Sequence, residues 1–461
     1  AGAVNLDWQI TGLSTSLTLQ GDIANLATLQ KPDLQLTWTA PAVEKVLEMF
    51  NLPAVTAGKA DLRGMVSPVD AGIDAQVEGS IGEFALQGSL HTESINQLAG
   101  LNISKLAGLK VKFQSTGPSA QAAGKVLAID GLPADPYELD IQMEDTDAGL
   151  EIKALRFSTA GAVATGTGVV QDFPEFNQLD FDLQIKAPNI ARFSGLLPGQ
   201  NIPALPFSVD GTIRSNADGT RDSVTAAAAL GPLQTKLTGL LTENPRFADS
   251  SFDWTLTSPD AQKSAAIFAI PLLQTAAIDA SGKATVTKAG LKLRNTSVKL
   301  GRHTAKLQGD LPLLSDDAVV QLEGNVSGSN LRNLVNLFTA TEQVPELPYN
   351  VATQLRYAKS KLELQGTNGT LGRNTLKADG SVIFGKDWPV VDLRLSAAGP
   401  QLDGLLPSAD FAQLPTGAYK ASGNLQIAGV PLMVTRRPDS VSVSGSAVDT
   451  VSYVVPDVPS A

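Results

Sequence analysis

A glycine returns about every seventy residues along this 461-residue chain, each time inside the same apolar pattern. The pattern is Leu-x-Gly-x-Leu/Ile: Leu19-Gln-Gly21-Asp-Ile23, Leu86-Gln-Gly88-Ser-Leu90, Leu237-Thr-Gly239-Leu-Leu241 and Leu307-Gln-Gly309-Asp-Leu311, with looser copies at Gly168 and Gly380. Glycines 21, 88, 168, 239, 309 and 380 lie 67, 80, 71, 70 and 71 residues apart. A second marker keeps step with the first. Twenty residues after five of the glycines, at Pro41, Pro188, Pro259, Ser329 and Pro400, a strand of alternating apolar residues gives way to Pro or Ser. The second copy runs from Gly88 to Pro118 and is ten residues longer, with His91 to Gly108 as the insertion. Such self-similarity is the mark of a repeat array, so the chain reads as one array and not as several unrelated domains. The repeats are 1–57, 58–132, 133–205, 206–271, 272–347, 348–415 and an incomplete 416–461.

Pro at the first helical position is favourable because its missing N–H would be unpaired there. Asn189 and Ser329 are candidate caps. The stretches Val43 to Phe50, Ile190 to Leu197 and Leu331 to Phe338 carry apolar residues at three-to-four spacing and read as short helices. Each precedes a Leu-Pro or Ile-Pro step, where the chain returns to strand. Between helices about four strands are expected, for instance Tyr349 to Tyr357, Lys361 to Gly366, Asn374 to Phe384 and Val390 to Ala397, with turns at Thr367-Asn-Gly369 and Gly372-Arg-Asn374. Parallel pairing would demand a crossover between each pair of strands, and a helix comes only once in four. The fold class expected is mainly β: an elongated antiparallel repeating β-groove, a trough-like curled sheet with one short helix per repeat.

The strands alternate in polarity, with Leu34, Leu36 and Trp38 against Asp33, Gln35 and Thr37, and Phe181, Leu183 and Ile185 against Asp182, Gln184 and Lys186. One face therefore needs shelter from water, from a second layer, from the sheet's own curl or from a ligand. At about 4.8 Å per strand, four strands per repeat and six repeats give a sheet on the order of 115 Å long. An apolar trough of that kind can hold acyl chains, each buried CH₂ contributing about 0.8 kcal/mol. A closed, dry core has the same alternation, so both readings stand at this point.

Composition narrows the choice of function. A net charge of −11 is the wrong sign for phosphate backbones, so no nucleic-acid partner is expected. With no cysteine there is neither a thiol nucleophile nor a Cys-based metal site. The two histidines, His91 and His303, are far apart in the sequence, and each is expected at the surface or in a turn. The most apolar stretch, Ala265 to Leu273, is far short of the ~20 residues that span a bilayer and contains Pro271. The chain begins Ala1-Gly2-Ala3-Val4 and reads as a piece of a longer or processed protein. Asp145-Thr-Asp147-Ala-Gly149 is like the start of a calcium loop but lacks the later ligands, so an acidic turn is expected. No Gly-x-Ser-x-Gly elbow, phosphate loop or His-Glu-x-x-His helix occurs. The expectation is no enzyme, no catalytic residue, no metal and no cofactor.

The Leu-x-Gly-x-Leu strands, followed by a strand such as Leu179-Asp-Phe-Asp-Leu-Gln-Ile-Lys-Ala-Pro-Asn-Ile190 or Val391-Asp-Leu-Arg-Leu395, resemble the AsmA-like family of Gram-negative envelope proteins, across nearly the whole chain. The resemblance implies the periplasmic part of a bridge-like lipid transfer protein that carries phospholipids between inner and outer membranes. It further implies an N-terminal inner-membrane anchor outside this chain, and protein partners in either membrane at the two ends. Candidate groove-lining residues are Leu36, Trp38, Leu90, Phe113, Leu183, Ile185, Trp254, Leu256, Leu322, Leu393 and Leu395. The alternatives are a closed β-repeat scaffold or adhesin-like protein, or an outer-membrane protein assembly factor. A carbohydrate-active enzyme would need paired carboxylates and an aromatic platform, and the aromatic residues here are few and scattered.

Overall fold

A computed structural model describes residues 3–12, 15–25, 30–45, 58–70, 72–93, 108–126, 129–172, 177–196, 203–216, 221–242, 248–267, 272–288, 290–312, 319–338, 340, 342, 344–358, 360–383, 390–400, 417–427, 433–437, 440–444 and 453–454. The structure is mainly β, antiparallel and not closed into a barrel, with a few short helices. The chain divides into two compact units, Ala1–Gly231 and Pro232–Ala461.

In the first unit, β1 (Val4–Gly12), β2 (Thr15–Asn25) and β3 (Gln30–Ala40) lead into a helical turn that starts at residues 43–45. Then come β4 (Ala60–Val69), β5 (Gly72–Ile81), β6 (Phe84–Thr92) and β7 (Lys110–Gly117), followed by α1 (Ala120–Val126). The next four are β8 (Tyr137–Thr146), β9 (Gly149–Thr159), β10 (Ala162–Asp172) and β11 (Asn177–Ala187), followed by a 3-10 segment, Ile190–Leu196. The unit ends with β12 (Phe207–Ser215) and β13 (Arg221–Leu230). Each strand pairs antiparallel with its sequence neighbours, and among the described residues β1 pairs only with β2.

The second unit has the same rhythm. It runs β14 (Leu233–Thr242), β15 (Ser251–Ser258), α2 (Ala261–Ile267), β16 (Ile278–Thr287), β17 (Gly290–Leu300), β18 (His303–Pro312), β19 (Val320–Gly328) and α3 (Leu331–Val335). It continues with β20 (Tyr349–Ala358), β21 (Lys361–Leu371), β22 (Asn374–Ile383), β23 (Val390–Gly399) and β24 (Tyr419–Ile427). A hairpin of β25 (Met433–Arg437) and β26 (Ser440–Ser444) stands apart, and the two-residue β27 (Tyr453–Val454) touches β24.

The recurring glycine now has a physical explanation. In register it faces a large apolar residue of the strand that follows: Gly21 faces Leu34, Gly168 faces Phe181, Gly239 faces Phe252, Gly309 faces Leu322 and Gly380 faces Leu393. A Cβ at any of the five would overlap the carbonyl oxygen of the residue twelve positions on, and Gly21, Gly309 and Gly380 hold φ of +142°, +146° and +141°. Only glycine tolerates that backbone, and strand glycines of this kind kink a sheet. The stretched second copy differs: Gly88 has no such overlap, and Gly79 on β5, at φ +140° over the Asp61 carbonyl, takes the role.

Several local expectations are corrected. Thr367-Asn-Gly369 is not a turn but lies inside β21, where the register shifts between Leu364 and Thr367 and Gly366 takes φ +60°. The turn at Gly372-Arg373 is present. The cap of α3 is Asn330, one residue past Ser329, its Oδ1 accepting from the Asn333 N–H. Asn189 Oδ1 does accept, from the Ala191 N–H, but the segment it opens is 3-10 with a kink at Phe193. The helix expected from Val43 to Phe50 lies outside the described residues beyond residue 45, as does most of the His91 to Gly108 insertion.

Fully buried apolar side chains gather at the strand ends. Val43 packs with Ala40 and Ala60, Ala120 of α1 with Phe84 and Tyr137, and Phe193 with Ala162 and Ala187. These clusters close one margin of the first unit's apolar face. Leu109 and Leu150, with Leu90, Val111 and Met143 against them, form a smaller cluster near the opposite strand ends.

Candidate apolar groove

Between those margins one face carries a continuous apolar row. In cross-strand register it reads Trp8, Leu19, Leu36, Gly64, Val77, Gly88, Phe113, Ile141, Leu155, Gly166, Leu183, Gly211 and Ala226, one residue from each of the thirteen strands of the first unit. At about 4.8 Å per strand its twelve steps cover about 58 Å. The flanking row through Trp38 and Ile185 also contains Ile10, Leu17 and Leu62.

All eleven candidate residues lie on this kind of face, and all are half-buried. Their strand neighbours of opposite parity, such as Gln35 and Thr37, Asp182 and Gln184, Asp253 and Thr255, Gln321 and Glu323, and Asp392 and Arg394, are exposed. Large side chains here are flanked by small ones: Leu183 has Gly166 on one side and Gly211 on the other, Leu395 has Ala378 and Gly423, and Phe113 has Gly88 on one side. Trp38 and Leu90 differ from the rest. They pack against buried clusters near the margins and act as wall residues.

Composition alone did not mark two further members of the face, Trp8 and Ile10, which are 60% and 61% exposed. Their signal was present in the alternation of Val4-Asn-Leu6-Asp-Trp8-Gln-Ile10, and their exposure follows from β1 having a single neighbour. Val77, between Gly64 and Gly88, is also exposed.

The opposite face is polar, and there the structure forms open concavities of about 700, 690 and 550 Å³. Long side chains such as Gln76, Gln87 and Gln114, or Lys306, Gln308 and Glu323, stand up as their walls. Ion pairs bridge neighbouring strands on that face, among them Arg214 with Asp182 at 2.5 Å, Lys283 with Asp253 at 2.9 Å and Arg356 with Glu363 at 3.1 Å. Exposed pairs of this sort contribute little to stability, with a median of about 0–1 kcal/mol. The apolar face of the first unit is an open surface bordered by the strand-end clusters.

No family model, curated protein or solved structure matches this chain.

Neither histidine is a free surface group. His91 Nδ1 lies 2.6 Å from Asp74 Oδ1. His303, expected at the surface or in a turn, follows the Gly301-Arg302 turn but is buried, 7% exposed, with Nδ1 2.9 Å from the Tyr349 hydroxyl. Burial holds the His303 imidazole below its ordinary pKa and pushes the Tyr349 hydroxyl above its own. Asp147 and Ala148 form the plain turn between β8 and β9. Among the described residues no group of three or more His, Asp or Glu is placed to hold a metal, and no helix is long and apolar enough to cross a membrane.

Proposed function

We propose that this chain carries amphipathic lipid along its apolar face, as the periplasmic part of an AsmA-like bridge between inner and outer membranes. The observation that carries the reading is the half-burial of a continuous apolar row. A finished core buries such residues fully and packs them at crystal-like density. Here Leu36, Phe113, Leu183, Trp254 and Leu393 stop halfway, while the buried apolar clusters of the first unit gather near the strand ends. Acyl chains laid on the row would complete its burial at about 0.8 kcal/mol per CH₂, with no need for a shaped pocket or a unique contact residue. Phospholipid is the fitting cargo because its head group can stay in water at the open side of the trough.

In this reading the chain holds no catalytic group. The inner-membrane anchor and the protein partners at either end belong to the same proposal. Mass spectrometry of lipid co-purifying with the protein after gentle extraction tests it, with a soluble β-protein of similar size as control. Several phospholipids per chain are expected. Their clean absence would favour the closed scaffold.

A further inference from the structure

The apolar row of the second unit is broken at two places. It runs Leu237, Trp254 and Gly282, then Thr296, Leu307, Gly324 and Thr353, then Thr367, Ala378, Leu395 and Gly423, with a register shift at each break. The two shifts involve matching bulges: Asn295 and Gly366 are 71 residues apart, both left-handed at φ 50° and 60°, and each is followed by a threonine on the apolar face. Thr367 is satisfied there, its hydroxyl 2.6 Å from that of Thr353. At the place 71 residues before Thr353 the chain has Gly282, and Thr296 loses the matching partner. Thr296 is 3% exposed and its Oγ1 makes no hydrogen bond.

A second unpaired polar atom lies beside it. The indole of Trp254 packs over Gly282, and its Nε1–H also has no partner. A carbon placed on Gly282 would sit 2.7 Å from Thr296 Oγ1 and 3.2 Å from Trp254 Cζ2, so the two side chains meet over that one bare position. Burying a polar group without its hydrogen bond is costly, and here two such groups converge in the middle of an apolar face.

We propose that Trp254 Nε1–H and Thr296 Oγ1–H form a hydrogen-bonding station for one acceptor oxygen of an amphiphile in the trough, an ester carbonyl or a fatty-acid carboxylate. The inference rests on the lipid reading above and deepens it. The half-buried indole swings about its side-chain torsions to present Nε1–H to the trough, and the acceptor then receives a hydrogen bond from each group. Apart from the exposed indole of Trp8 the first unit's central row has no polar side chain, so the station makes the second unit the place where a lipid pauses with its glycerol region in a set position.

The test uses the whole chain and two shape-conserving variants, Trp254→Phe and Thr296→Val. Each is loaded from detergent with dioleoyl phosphatidylglycerol, with its dialkyl ether analogue and with oleate, and bound ligand is counted after gel filtration. For the wild type, diester retention about thirtyfold above the ether is expected, as two net hydrogen bonds give. Each variant removes one of the two donors and should lower diester retention about fivefold while holding the ether as before, and oleate following the diester would make the carboxylate an equal occupant. The Trp254 indole N–H resonance, identified by its loss in Trp254→Phe, should move downfield with the diester and stay in place with the ether. Variants that retain diester at the wild-type level, or that lose diester and ether alike, overturn the station and leave the lipid reading intact. A wild type that retains none of the three overturns both.

Discussion

Replacing Leu183 with Asp separates the face that matters from the strand that carries it. Leu183 is half-buried on β11 with glycine on both sides, so the shorter side chain meets no clash and its carboxylate can reach water. Losing half of a leucine's burial costs about 1 kcal/mol, since full burial is worth about 1.5–3 kcal/mol. The low strand preference of Asp adds up to about 1 kcal/mol. The fold should therefore survive with about 2 kcal/mol less stability. An acyl chain crossing that point would have to strip water from a carboxylate, a cost of several kcal/mol with no partner charge in reach. A penalty of about 3 kcal/mol lowers lipid occupancy about a hundredfold. The control is Gln184→Asp, one residue away on the exposed polar face, which adds the same charge to the same strand. Lipid retained per chain is compared for the two variants, with denaturant titration reading stability. Wild-type retention by Leu183→Asp, or an equal loss in both variants, would refute the assignment of the face.

Three further outcomes follow from the structure. Gly309→Ala should destabilise by about 3 kcal/mol, because Ala is strained at φ +146° and its Cβ overlaps the Gln321 carbonyl, whereas Gly12→Ala, with nothing within 4 Å, should change stability little; urea unfolding of both variants measures the contrast. Burial lowers the pKa of His303, so below an unfolded-state value of about 6.5 the unfolded chain binds the extra proton. The stability this group provides is complete above that pH and is lost as pH falls, and a His303→Gln variant should show a flatter profile between pH 7 and pH 5. Asn330→Ala removes the Oδ1 that accepts from Asn333 N–H and should cost about 1 kcal/mol, read as a lower urea midpoint, while Ser329→Ala should be silent.

Much of the architecture was legible because a period-two pattern and a period of seventy reinforce each other. The four strands of each repeat and the short helix after every fourth follow from the polarity of stretches such as Phe181 to Lys186 and from Pro188 and Pro259. What stayed hidden depends on partners across the sheet. The sequence shows Gly239 but not that Phe252 and the Ser251 carbonyl occupy the space a side chain would need. It shows Thr367-Asn-Gly369, whose turn chemistry loses to the pairing of β21 with β20 and β22, the surplus residue being absorbed in a bulge. His303 reads as a lone polar residue in sequence, and only the fold brings Tyr349, 46 positions on, to its ring. The candidate face was readable from alternation, but its half-burial was not, since alternation is the same under an open face and a closed one.

Among the described residues of each unit every main strand pairs only with the strand just before it and the one just after. Such a design makes length a free variable. A period can be added or dropped without rewriting any distant contact, because no strand's partner depends on how many periods exist, and stability accrues locally, period by period. The number of periods can thus change by copying, while the alternation of apolar and polar residues is carried unaltered into each copy.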